Sequence, residues 1–60
     1  MVGNIYKVKS TGTQYKVIDY TEGSSLVEVE QLNKKEAGRH MIKNINSIQK
    51  DLESGKMIQL

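Results

Sequence analysis

Asn33-Lys34-Lys35-Glu36-Ala37-Gly38-Arg39-His40-Met41-Ile42-Lys43-Asn44-Ile45-Asn46-Ser47-Ile48-Gln49-Lys50-Asp51-Leu52-Glu53-Ser54-Gly55 is the stretch on which the fold turns. It supports two readings. In the first, Asn33–Gly38 is a hairpin loop and Arg39–Lys43 a fourth strand. A short helix then spans Ser47–Ser54, and Lys56–Leu60 closes as a last strand. In the second, Asn33 and Glu36 form a capping box that opens one long helix, stopped at Gly55. Ala37, Met41, Ile45, Ile48 and Leu52 are spaced four, four, three and four, which is a helical stripe. Against the long helix stand Gly38 in its second turn and the poor helix formers Asn44, Asn46 and Ser47 in its middle. Those three polar residues suit the junction before a new helix, with Asn46 or Ser47 as N-cap and Gln49 placed to cap back. The first reading is preferred, and the second stays open.

The segments upstream are simpler. Tyr6 and Val8 alternate with Lys7 and Lys9, as a half-buried strand requires. Ser10–Thr13 reads as a hairpin turn in which Gly12 takes positive φ. Gln14–Tyr20 is rich in β-branched and aromatic residues. Its first half is apolar on one face (Tyr15, Val17) and its second half on the other (Ile18, Tyr20), which predicts a bend or bulge. After a turn at Thr21–Ser25, Val27 and Val29 alternate with Glu28 and Glu30 in the clearest strand pattern of the chain.

Sixty residues allow one domain, 1–60. A chain this short buries about 60% of its unfolded surface, and 37% apolar residues suffice for one small core. No cysteine is present, so neither a disulfide framework nor a thiolate metal site can staple it. That absence favours a cytoplasmic setting. The first residues lack an apolar signal-peptide core, and no apolar run approaches the roughly 20 residues of a bilayer span, so no membrane association is expected. The formal charge of +2 is modest. Residues 1–17 hold three lysines and no acid, residues 18–32 four acids and no base, and the rest is basic again. Duplex binders carry a denser, Arg-rich stripe; here one of nine bases is Arg. Nucleic acid is permitted as a partner but not demanded.

The pattern Val2–Lys7, then Thr11-Gly12, then Tyr15–Tyr20, together with the ending Ile48–Ile58, resembles small SH3-like barrel proteins encoded by bacteriophages and mobile elements of low-GC Gram-positive bacteria. The resemblance is one of layout over nearly the whole chain. It implies a mainly β, five-stranded SH3-like barrel with a short helix before the last strand. Met41–Leu52 departs from it, because its helical periodicity exceeds what a fourth strand needs. The alternative is therefore a three-stranded antiparallel meander packed by one long C-terminal helix.

Chemistry is sparse. His40 is the only histidine, with no acid placed beside it in sequence, and reads as a surface or rim residue. Ser24-Ser25 sits in a turn, where serine is ordinary. Glu28 and Glu30 share a strand face; cross-strand pairing with Lys7, Lys9 or Lys16 explains them more simply than a metal. Neither glycine-rich phosphate-loop pattern occurs. The expectation is a non-catalytic module without cofactor or metal. Tyr6 and Tyr15 read as core, each sharing a face with a valine, while Tyr20 reads as partly exposed.

Two candidate binding surfaces follow. One joins Tyr20 to Lys7, Lys9 and Lys16; the other is the basic cluster Lys34, Lys35, Arg39 and Lys43, with Lys34 and Lys35 at a loop tip. The expected function is protein binding, by occluding or tethering a host or phage protein. The alternative is a nucleic-acid-binding module using the Lys/Tyr surface. A homodimer through Met57–Leu60 is a further expectation, since that segment ends on an apolar residue.

Overall fold

A computed structural model describes residues 1–60. Five strands and one helix follow in the order β1 (Ile5–Val8), β2 (Gln14–Tyr20), β3 (Leu26–Gln31), β4 (His40–Asn44), α1 (Ile45–Ser54) and β5 (Met57–Gln59). All pairings are antiparallel, and the strands lie side by side as β4-β3-β2-β1-β5. The domain is thus mainly β, one five-stranded sheet with a short helix before the last strand. The sheet is not closed by hydrogen bonds, because β4 and β5 each pair with a single neighbour. No helix is long and apolar enough to cross a membrane.

Alternation decides the faces. Register sets Val17 beside Val29, Tyr20 beside Val27, Tyr15 beside Gln31 and Met41 beside Val29. These residues line the inner face, with Tyr6, Val17, Val27, Val29 and Met57 buried at its centre. The ladder shifts between the Val17–Val29 and Asp19–Glu28 pairs, so Ile18 is the extra residue of a bulge. That is the bend expected where the apolar pattern of β2 changes side.

The contested stretch is a strand followed by a helix, and the single long helix is excluded. Gly38 adopts φ 91°, a left-handed turn within the β3–β4 loop that no helix interior tolerates. The helix begins two residues earlier than expected. Its N-cap is Asn44, in extended conformation at φ −90° and ψ 130°, whose side chain accepts from the Asn46 backbone N–H at 2.8 Å. Starting there places Ile45, Ile48 and Leu52 together against the sheet; starting at Ser47 would strand Ile45 in a linker. Gly55, at φ 82°, ends the helix, its N–H donating to the Leu52 carbonyl. The fourth strand is shifted by one residue, to His40–Asn44, and the last is shorter, Met57–Gln59.

Asn33 does different work from the helix cap considered for it. Its Oδ1 accepts from the Gln14 N–H at 2.9 Å, and its Nδ2 donates to the Gly12 carbonyl at 3.0 Å. The buried Gln31 side chain donates to the Asn33 carbonyl. These bonds tie the β1–β2 turn to the exit of β3, supplying polar groups that would otherwise lack partners.

Candidate binding cleft

Helix α1 covers only part of the inner face. Beside it lies a pit of about 140 Å³ whose lining includes Val8, Tyr15, Lys43, Ile48, Asp51 and Met57. The pit opens onto a shallow shelf of about 520 Å³ bordered by Lys9, Ser10 and Lys56, the two sharing Val8, Asp51 and Met57. Pockets that enclose a small organic ligand usually span about 300–1,000 Å³ and bury most of it. A narrow pit on an open shelf instead suits one inserted side chain with its backbone laid across the shelf.

Each wall follows from local structure. Lys43 lies on β4 opposite Val27, so the alternation that sends Ile42 outward turns Lys43 in. Its ammonium stands 4.9 Å from the centre of the Tyr15 ring, in cation–π range. Ser47 and Asp51, one helical turn apart on α1, face the pit from the other side. Lys9, Lys43, Lys56 and Asp51 form no ion pair within the protein; the ion pair joins Arg39 to Glu36, and His40 lies beside Glu28 and Glu30. Three unpaired cations therefore surround one carboxylate.

The expected surfaces are divided by the fold. Only Lys9 and Lys43 reach the cleft. Lys7 and Lys16 lie on the opposite face, Lys7 between Gln14 and Ile58 and Lys16 opposite Glu30. Tyr20 is half-buried at the far end of β2, beside Val27. Lys34, Lys35 and Arg39 are exposed in the β3–β4 loop. There the Glu36 carboxylate hydrogen-bonds the Arg39 guanidinium and, with its charge, raises its pKa further. Lys34 holds φ 69°.

Two further expectations need correction. Tyr15 is half-buried rather than core, leaving Tyr6 as the only buried tyrosine. Glu30 does stand across the sheet from Lys16, as expected, but Glu28 faces no lysine, and both carboxylates approach His40, at 3.0 Å from Nδ1 and 4.0 Å from Nε2. The two carboxylates approach different ring nitrogens, so the three groups do not converge on one point, and no cluster of three such side chains suits a metal ion.

The reading from sequence missed Tyr15, Ser47, Asp51 and Lys56 as cleft residues. The four-residue spacing of Ser47 and Asp51 marks one helix face, but nothing local says that this face borders an open shelf. Compared with protein-family models, curated proteins and solved structures, the chain finds no match.

Proposed function

We propose that this domain is a non-catalytic protein-binding module on an SH3-like barrel plan, of the kind encoded by bacteriophages and mobile elements. In this reading it acts by occluding or tethering a host or phage protein. The strand order β4-β3-β2-β1-β5, the bulge at Ile18 and the helix before β5 support that plan. One observation carries the function: the half-covered inner face, where Tyr15 and Lys43 stand over an apolar pit bordered by unpaired charges. A loop or extended segment that inserts one apolar side chain and sets a carboxylate near Lys9 or Lys56 complements it in shape and charge.

Nucleic acid is the second reading, favoured by the three unpaired lysines around an accessible tyrosine. The outer face argues against a broad phosphate-tracking surface, since Lys7 and Lys16 are interleaved there with Asp19, Glu28 and Glu30.

The test compares capture from host lysate by the wild-type chain, a cleft variant (Tyr15→Ala with Lys43→Glu) and an outer-face variant (Lys7→Glu with Lys16→Glu). The proposal expects a partner protein retained by the outer-face variant and lost with the cleft variant. Equal capture by both variants contradicts the cleft assignment. Binding to single-stranded oligonucleotides that weakens steeply with salt favours the second reading.

A further inference from the structure

The sheet ends on two edges of unequal character. β5 is three residues long, whereas β4 is five residues long and carries Ile42, which is 63% exposed. The bonds Gln31 N–H to Arg39 C=O and Ile45 N–H to Ser25 C=O fix the alternation of the β3–β4 ladder. Met41 and Lys43 therefore turn their backbone groups toward β3, and His40, Ile42 and Asn44 turn theirs to solvent. Edges of this kind are usually blunted by charge, proline, a bulge or a covering loop. On its outward-facing positions β4 has no proline, bulge or lysine: His40, Ile42 and Asn44 offer an apolar centre between two polar ends, and the strand's one inward-pointing cation is Lys43.

We infer that β4 is a self-pairing edge, through which two copies of this chain join antiparallel about Ile42 into one continuous ten-stranded sheet. The register follows from charge. With Ile42 opposite Ile42 of the second copy, His40 faces Asn44, and on the inner face Met41 faces Lys43, whose alkyl stem covers it. The neighbouring antiparallel registers set Lys43 against Arg39 or against the other Lys43, a like-charge pair in either case. The two-fold register thus brings no two cations face to face. It forms four hydrogen bonds, two between the Ile42 residues and two from the Asn44 N–H groups to the His40 carbonyls. The Asn44 carbonyls are left to begin α1. A contact of one strand pair buries less than the roughly 800 Å² per partner of a standard interface. The association is accordingly expected to be weak and concentration-dependent.

Sedimentation equilibrium up to about 1 mM chain, with amide hydrogen exchange at low and high concentration, tests this. The dimer fraction should rise with concentration while exchange slows at Ile42 and Asn44, with Met41 and Lys43 unchanged. Ile42→Lys should raise the dissociation constant at least tenfold with an unchanged circular-dichroism spectrum, and Ile42→Val should still dimerise. A monomer at every concentration overturns the inference. So does a dimer indifferent to Ile42→Lys, or one whose new protection falls on Met57–Gln59. The inference shares β4 and Lys43 with the cleft but not its ligand, so a chain that stays monomeric with β4 intact leaves the proposed function standing.

Discussion

The two faces of the sheet are built from the same alternating strands and behave as opposites. The inner face gathers Tyr6, Val17, Val27, Val29 and Met57 beneath α1 and owes its order to apolar burial. The outer face carries Lys16, Glu28, Glu30 and His40 as a mixed-charge surface, with Ile42 exposed among them. Only six of 60 residues are buried, so the inner face has few side chains to spare. Stability is therefore concentrated in the central strands, while the β4 edge and the charged rim of the cleft, Lys9, Lys43, Asp51 and Lys56, lie at the margins.

Substitutions can sharpen or break that contrast. Val29, 1% exposed and beside both Val17 and Met41, should show the largest loss. Val29→Ala removes two methyl groups and leaves a cavity, costing about 2 kcal/mol in denaturant unfolding. Asn33→Ala should cost about 1–2 kcal/mol, because the Gln14 N–H and Gly12 carbonyl lose their partners in a half-buried site. Glu28→Ala, next to Val29 in sequence but on the outer face, should stay within about 0.5 kcal/mol of wild type. Equal losses at Glu28 and Val29 would erase the distinction between the faces.

Much of the fold was legible because β1, β2 and β3 repeat with period two and have glycine turns between them. Even the bulge showed, as an apolar pattern changing side at Ile18. The β4–α1 region was ambiguous for a definite reason. Met41 on a strand and Ile45, Ile48 and Leu52 on a helix all face one core, so their spacing mimics a single helical stripe. Asn44 ends that stripe, but its capping role depends on Ile45 being needed for packing, which local sequence does not state.

The cleft was less legible still. Lys43 meets Tyr15 across the sheet, Asn33 bonds to residues 19 and 21 positions away, and the acids beside His40 come from the neighbouring strand. Charge type can be read from a sequence. Which charges share a face with an accessible tyrosine depends on strand order, and β4 was the strand in question.

Both the cleft and the proposed edge rest on β4 being a strand that stops at Asn44. Cross-strand NOE contacts between α-protons test this most directly. The register makes Glu28–Ile42 and Glu30–His40 the non-hydrogen-bonded pairs, with α-carbons about 4.5 Å apart. Strong α-proton contacts in both pairs, with helical amide contacts beginning at Ile45, are the predicted result. Sequential helical amide contacts running unbroken from residue 39 to residue 48 would contradict it, removing Lys43 from the cleft and Ile42 from any edge.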